Sequence, residues 1–147
     1  MKIWIISVGH KMPQWVELAT QDYLKRMPKE CAVEVKELKP DINPAKEATK
    51  IKEAIPKNSY VIALDEKGIN QTTLELSKKM DDWCHLGKDI SLIIGGADGL
   101  APDIKEAANE LWRLSSLTLP HGMVRVLLTE QLYRAWTILQ GHPYHRE

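Results

Sequence analysis

A chain of 147 residues is expected to form one domain, residues 1–147, with a core of ordinary size. Hydrophobic residues make up 44% and charged residues 27% of the chain, which argues against disorder. The formal net charge is zero, which argues against a protein that coats nucleic acid by electrostatic attraction alone. The apolar run at residues 3–8 is too short to span a membrane, so no membrane association is expected.

The first half of the chain alternates predicted strands and helices. "KIWIISV" predicts a buried strand, and the following residues 13–27 predict a helix with Trp15, Ala19, Tyr23 and Met27 on one stripe. "AVEVKELK" alternates like a strand with one exposed face. Asn43-Pro44 is typical of a helix start and leads into "AKEATKIKEAI".

The second half continues the alternation. "SYVIALD" and "DISLIIGG" predict buried strands, and Thr72 with Glu75 predicts a capping box that opens a helix ending at Gly87. We further expect a helix from Pro102 to about Leu111, a short strand over "LSSLTL", and a long helix from about Gly122 to Gln140.

This order of elements indicates an α/β fold with a mostly parallel sheet covered by helices on both faces. Ligands bind such sheets at the carboxyl ends of the strands, beside the loops that follow. Three loops are therefore candidates for a binding site: "LDEKG", "GGADG" and "LPHG".

The two kinds of basic residue are unevenly distributed. None of the fifteen lysines lies beyond Lys105, whereas four of the five arginines and three of the five histidines do. Arginine is suited to bidentate recognition of phosphate and carboxylate, whereas lysine is the general solvating cation. Although chance is an alternative for such small numbers, the pattern indicates that the C-terminal third carries the function.

The glycines of "IIGGADGL" permit a close backbone approach to a ligand. The loop is neither a dinucleotide-binding fingerprint nor a phosphate-binding P-loop, and Asp98 would oppose a bound pyrophosphate. An uncharged or cationic ligand with hydroxyl groups is favoured. A tight strand-to-helix turn without a ligand is the alternative.

The segment "LSSLTLPHGMVRVLLTEQLYRAW" places a small polar strand before a helix that carries Arg125. His121 and Arg125 are candidate functional residues here, and a loop imidazole with a surface arginine is the alternative. Glu130 and Arg134 form an i,i+4 pair in the favourable order. His142 and His145 lack a nearby cysteine or carboxylate cluster, so no metal site is expected.

Four motifs together resemble the RlmH family, the small ribosomal RNA large-subunit methyltransferases H of the SPOUT superfamily. They are "VGHKMPQWV", "SLIIGGADGL", "LTLPHGMVRVLLTEQLYRAW" and the terminal "GHPYHRE". The resemblance covers essentially the whole chain in order, and residues 39–58 are its least recognisable part. It implies an α/β fold with a C-terminal trefoil knot and a homodimer, features that periodicity does not reveal.

The resemblance also implies a reaction: transfer of a methyl group from S-adenosylmethionine to N3 of a pseudouridine in 23S rRNA. It further implies the assembled ribosome as the partner and the cytoplasm as the location. The family's cofactor contacts correspond in this sequence to Leu64, Gly95, Leu114, Ser115, Ser116, Leu117, Thr118 and Leu119. The catalytic candidates are His121, Arg125, Arg134, Tyr144, His145 and Arg146.

The terminal segment suggests roles for three of these residues. Gly141 and Pro143 end the long helix, so the tail extends from a fixed point. Tyr144 is suited to stack on or hydrogen-bond the target base, Arg146 to hold a phosphate, and His145 to accept the N3 proton. A tail packed for stability is the alternative.

Two other functional classes compete with the methyltransferase. A nucleotide-binding oxidoreductase is disfavoured because the dinucleotide fingerprint is missing. A non-catalytic ribosome-binding factor would also use an end rich in arginine and histidine.

Overall fold

The computed structural model describes residues 1–146 and contains a five-stranded parallel sheet with strand order β2-β1-β4-β3-β5. The strands are β1 (Lys2–Val8), β2 (Ala32–Leu38), β3 (Tyr60–Asn70), β4 (Ile90–Ile94) and β5 (Glu110–Arg113). The predicted α/β class and parallel sheet are confirmed. The near-continuous apolar composition of β1 and β4 suits their inner positions in the sheet, where both faces are buried.

Helices cover both faces of this sheet. They are α1 (Gln14–Arg26), α2 (Pro44–Ala54), α3 (Thr73–Leu86), α4 (Pro102–Ala107) and α5 (His121–Leu139). One core layer joins the sheet to α3 and α5, with Leu24 of α1 at its margin. The other core layer joins the opposite face to α2 and α4. The helices therefore bury both faces of the sheet, as the predicted order of strands and helices requires.

The local signals at helix ends are confirmed. The side chain of Asn43 accepts a hydrogen bond from the Lys46 amide at 2.9 Å, and Thr72 and Glu75 form the reciprocal capping box. Gly87 and Gly141 adopt positive φ angles of 73° and 67° after α3 and α5. Glycine reaches this left-handed region without the penalty that a Cβ imposes, so both helices end where expected.

The strand predicted over residues 114–119 is wrong. The last strand is β5, and the predicted helix after Pro102 ends at Ala107 and not near Leu111. Asn109 pairs with Val61 through two hydrogen bonds of 2.8 and 2.9 Å, which draws the chain into the sheet early. Trp112 then becomes buried and stacks on Trp83 at 5.8 Å. Residues 114–119 follow β5 as a loop.

The buried face of α1 and the end of β3 also differ from expectation. The buried residues of α1 are Val16 and Thr20, whereas Trp15, which belongs to the stripe predicted from the sequence, is 52% exposed. The cause is Gly122 of α5, because a Cβ there would lie 2.9 Å from Val16 Cγ2. Strand β3 runs past its predicted end at residue 65 to Asn70, with a register break between Leu64 and Ile69.

Over residues 1–146, no helix has the length and apolar character needed to cross a membrane.

Candidate active site

The carboxyl ends of β4, β3 and β5 open into one cleft of about 1030 Å³. Most of its lining comes from three segments, residues 64–67, 94–100 and 112–119. Each of the three predicted loops contributes residues to this lining, "LPHG" through Leu119 and His121. The rule for parallel sheets thus located the site even though the last strand was misplaced by several residues.

All eight residues proposed from the resemblance as cofactor contacts line this cleft. They are Leu64, Gly95, Leu114, Ser115, Ser116, Leu117, Thr118 and Leu119. The volume is at the upper end of the range typical for small-molecule sites. Apolar side chains from two different loops face a shared space here, as the planar base of a nucleoside ligand requires.

The glycine loop after β4 is packed too tightly to accept a side chain at its first position. A Cβ on Gly95 would lie 2.9 Å from the Gly99 carbonyl carbon and 2.9 Å from Leu100 Cγ. The Gly99 amide donates to the Gly96 carbonyl at 3.0 Å, with Gly99 at a φ of 78°. This turn brings main-chain atoms to the cleft wall, where a ligand can reach them.

The loop over residues 114–119 offers main-chain and hydroxyl groups beside apolar side chains. Within it, the Leu117 amide donates to Ser115 Oγ at 2.9 Å, and the Leu117 side chain is 76% exposed. A leucine this exposed at the mouth of a cleft is suited to cover a bound ligand. This loop and the glycine loop both line the cleft.

A polar network centred on the buried Arg125 lies behind the cleft. Ser7 Oγ is 2.8 Å from His121 Nε2 and accepts a hydrogen bond from Arg125 Nη2 at 3.0 Å. Arg125 Nη1 donates to Glu37 Oε1 at 2.5 Å. Arg125 is only 2% exposed, so the interpretation of a surface arginine is wrong. A buried guanidinium needs such partners because an unpaired charge in the interior is costly.

Burial lowers the pKa of His121, and the positive charge of Arg125 lowers it further. A hydrogen bond with the Gly95 backbone and the charge of Glu37 act in the opposite direction without reversing the shift. The ring is therefore neutral at neutral pH. His121 lines the cleft, while Arg125 lies behind it.

The other catalytic candidates form a second cluster on α5 and the tail. The Tyr144 hydroxyl donates to Glu130 Oε2 at 2.6 Å, and Arg134 Nη2 lies 2.9 Å from the same oxygen. The Arg134 guanidinium lies over the Tyr144 ring at 4.7 Å, and that ring meets Tyr133 edge-on at 4.7 Å. Burial and the hydrogen bond to Glu130 raise the pKa of Tyr144.

The predicted i,i+4 pair of Glu130 and Arg134 is confirmed. Of the last two described residues, His145 is half-buried, as Tyr144 is, and Arg146 is exposed. Glu147 lies outside the described residues. Tyr144 thus acts as an anchor for the two residues that follow it.

The structure separates the six catalytic candidates into two groups. His121 lines the cleft and Arg125 supports it from behind. Over the described chain, the cleft lining includes none of the other four, namely Arg134, Tyr144, His145 and Arg146. One protomer by itself therefore holds the cleft and the tail cluster as separate surfaces.

The sequence analysis missed two residues of these networks, Ser7 and Glu37, and one contact of a third, Glu130. Ser7 had a signal, because it is a lone hydroxyl within the apolar strand "IWIISV". Glu37 had none, because an acidic residue on an alternating strand is typical of an exposed face. Glu130 was noticed only as a partner of Arg134, and its contact with Tyr144 depends on how the tail folds back.

No group of three or more histidine, cysteine, aspartate and glutamate residues able to hold a metal is present within residues 1–146.

Comparisons with known proteins agree with this architecture. A family model described as "Predicted SPOUT methyltransferase" matches residues 1–145. A ribosomal RNA large subunit methyltransferase H from Polynucleobacter asymbioticus is 65% identical over 147 residues, which is all of both chains. A crystal structure of a methylase family protein from Neisseria gonorrhoeae superposes with a TM-score of 0.60 at 16% identity, over 99% of this chain and 86% of that one.

A further solved structure, the SpoU methyltransferase AviRb from Streptomyces viridochromogenes in complex with AdoMet, matches with a TM-score of 0.51 at 11% identity. The match covers 95% of this chain and 58% of that one, and it shows the shared fold. The whole-length match to the family model and the 65% identity to a full-length relative show that this chain belongs to the SPOUT methyltransferase family, with the ribosomal RNA large subunit methyltransferases H as relatives.

Proposed function

We propose that this protein transfers a methyl group from S-adenosylmethionine to N3 of a pseudouridine in 23S rRNA, on the assembled ribosome. The observation that carries the proposal is the cleft at the ends of β4, β3 and β5, in which all eight expected cofactor residues come together. Full-length relatives named as large-subunit rRNA methyltransferases support the substrate class.

The cleft fits S-adenosylmethionine in shape and chemistry. Leu64, Leu114 and Leu119 provide apolar surface for adenine, and the main chain of the two loops provides donors and acceptors. The space left by the missing Cβ of Gly95 admits the close approach of a ligand. Asp98 at the cleft rim is compatible with a sulfonium cation and would oppose a bound pyrophosphate.

The bound cofactor supplies a methyl carbon activated by its bond to a positively charged sulfur. The protein must align N3 with that carbon, exclude water and accept the N3 proton. In this proposal Tyr144 contacts the pseudouridine, Arg134 and Arg146 hold the RNA backbone, and His145 accepts the proton. N3 then bonds to the methyl carbon while the carbon–sulfur bond breaks.

These tail residues must reach a cofactor cleft, and we propose that they reach that of a second subunit. The described cleft lining of one protomer includes none of them. An apolar surface formed by Trp15, Leu18 and Met123, which are 52%, 63% and 42% exposed, supports a homodimer through α1 and the start of α5. Exposed apolar surface of this kind often marks a protein interface. The trefoil knot stays a prediction.

The assembled ribosome suits this protein better than free RNA. A chain of zero net charge has no overall electrostatic attraction for naked RNA in physiological salt. Shape and several simultaneous contacts on a preformed surface would supply the missing affinity. A cytoplasmic location follows from this substrate.

Calorimetry with S-adenosylmethionine and a methylation assay on intact ribosomes and on protein-free 23S rRNA test the proposal. We expect cofactor binding near micromolar Kd, methylation of ribosomes, and little methylation of free RNA. Binding of NAD without binding of S-adenosylmethionine would support the oxidoreductase. Ribosome binding without methyl transfer would support the non-catalytic factor, and efficient methylation of free RNA would refute the assembled substrate.

A further inference from the structure

The hydrogen bonds of the network behind the cleft fix the position of the Ser7 hydroxyl hydrogen and of the ring proton of His121. Arginine has only donors, so Ser7 Oγ must accept the hydrogen bond from Arg125 Nη2. The Ser7 hydroxyl keeps one hydrogen to donate, and His121 Nε2 at 2.8 Å is its available partner within the described residues. His121 Nε2 is therefore an acceptor, and it carries no proton.

The second ring nitrogen of His121 forms a hydrogen bond with the backbone of Gly95 in the glycine loop. The hydrogen bond between the His121 ring and the Gly95 backbone raises the affinity of the ring for protons, as a carbonyl acceptor does. Because Nε2 is bound to Ser7, the donor to Gly95 must be Nδ1. A neutral imidazole with its proton on Nδ1 satisfies both contacts at once.

We infer that His121 is a positioning residue, held as the Nδ1–H tautomer by Ser7 and Arg125, that fixes the Gly95 carbonyl and so shapes the cofactor cleft. The inference rests on the proposed function for the identity of the cofactor. It removes His121 from the candidates for the base that accepts the N3 proton, because both ring nitrogens are already engaged. The expected catalytic role of His121 thus becomes an indirect one.

The surroundings of the ring oppose its protonation. Arg125 on α5 is the cation that acts on the ring, and Glu37 on β2 is the acidic group that does so. Strand β1 contributes the uncharged Ser7, and the segment after β4 contributes only the Gly95 backbone. A Cβ on Gly9 would lie 3.3 Å from Nε2, so the ring is also held by packing. Protonation would require Ser7 to turn its hydroxyl away and would place a second positive charge beside Arg125.

The first test is a nitrogen-15 NMR measurement on the full-length protein labelled at histidine. We expect the His121 signals to show a proton on Nδ1, with Nε2 unprotonated, across neutral pH. In Ser7→Ala the tautomer preference should weaken and the ring should titrate at a higher pH than in the unaltered protein. A proton on Nε2, or a ring that titrates as a free histidine, would refute the inference. This readout needs no cofactor and is independent of the proposed function.

The second test compares two substitutions that place an amide donor at different points. The amide of His121→Asn can occupy the position of Nδ1 and keep the hydrogen bond to Gly95, whereas that of His121→Gln extends toward the position of Nε2. We expect His121→Gln to weaken S-adenosylmethionine binding about tenfold more than His121→Asn, with the KM for the cofactor raised in parallel. At saturating cofactor, kcat should recover in His121→Asn.

Two results would contradict the positioning role. One is equal binding by the two variants, and the other is a fall in kcat at saturating cofactor in both with Kd unchanged, which a general base would produce. If the unaltered protein does not bind S-adenosylmethionine, the proposed function fails while the NMR result still decides the tautomer.

Discussion

The cleft and the tail cluster of this protein are built in opposite ways. About half of the residues that line the cleft are small residues or leucines, and its conformation depends on the absence of a Cβ at Gly95. The tail cluster consists of long polar and aromatic side chains that converge on one carboxylate, Glu130. The first type of surface suits a small ligand, and the second suits a charged substrate that needs alignment and proton transfer. In the proposed function, this difference corresponds to cofactor binding in the cleft and to RNA alignment and proton transfer at the tail.

Removal of the reactive end of the tail is expected to have the largest effect. His145→Ala with Arg146→Ala keeps the Tyr144 anchor, so the packing on Tyr133 and Glu130 should persist. Loss of the proton acceptor and of a phosphate contact should reduce kcat on ribosomes by about 10²–10⁴-fold. The Kd for S-adenosylmethionine, measured by calorimetry, should not change. Deletion of residues 144–147 should behave similarly, and full activity after either change would show that the tail has no catalytic role.

Mixed dimers extend this prediction to the sharing of the site. A subunit with an intact tail and Gly95→Val, combined with one that has an intact cleft and no tail, restores one complete site per dimer only if the tail acts on its partner. Partial recovery of methylation in purified mixed dimers is expected. No recovery in such dimers would place cleft and tail of the same chain together.

A larger side chain at Gly95 is expected to impair cofactor binding in the cleft strongly. Gly95→Val places atoms against the Gly99 main chain and Leu100, which have no room for them. We expect the affinity for S-adenosylmethionine to fall by about 100-fold or more, with circular dichroism nearly unchanged.

Leu117→Asp is a second change at the cleft, for which the chain offers a matched control. Leu117 is 76% exposed beside the cleft, and Ile42 is 80% exposed away from it. Leu117→Asp should weaken cofactor binding, whereas Ile42→Asp should not. Equal affinities in the two variants would mean that Leu117 does not cover the ligand.

An intermediate effect is expected from the carboxylate that anchors the tail. Glu130→Gln removes the charge that accepts from the Tyr144 hydroxyl and pairs with Arg134. The pKa of Tyr144, which this contact raises, should move back toward the ordinary value of 10.0, as ultraviolet titration can show. We expect kcat to fall about tenfold because the tail loses its fixed orientation. Glu53→Gln, at an exposed position of α2, is the control and should match the unaltered protein.

The smallest effect concerns the pH dependence of stability. The pKa of His121 in the folded protein lies below its ordinary value of 6.5, so the unfolded chain binds the proton more readily. The contribution of the neutral ring to stability is complete above pH 6.5 and decreases as the pH falls below it. Urea denaturation should show this loss, and His121→Asn should flatten the curve below pH 6.5. A curve of the same slope in both proteins would assign the acid sensitivity to other groups.

Local signals in this sequence were sufficient for most of the helices. The caps at Asn43 and Thr72 and the stops at Gly87 and Gly141 depend on a few neighbouring atoms, and all four are present in the structure. The strand placed at residues 114–119 failed because small polar residues have no strong preference, whereas the buried Trp112 pairs into the sheet through contacts with β3 and α3.

The candidate site was predictable as a location more than as a set of contacts. The rule for parallel sheets and the resemblance to a methyltransferase family pointed to the same loops, and the cleft lies there. Arg125 illustrates the limit. Its residue type indicated function. Its hydrogen-bond partners could not be predicted, because Ser7 and Glu37 lie 118 and 88 positions away in the chain.

The sequence by itself determined the α/β class, the positions of the capped helices and the family of this protein, because these depend on periodicity, short-range hydrogen bonds and motifs that can be read in order. Only the tertiary structure decided the tautomer of His121, the position of the last strand and the separation of the tail from the cleft. Each of these results from long-range packing, in which the partner of a side chain is set by the path of the whole chain.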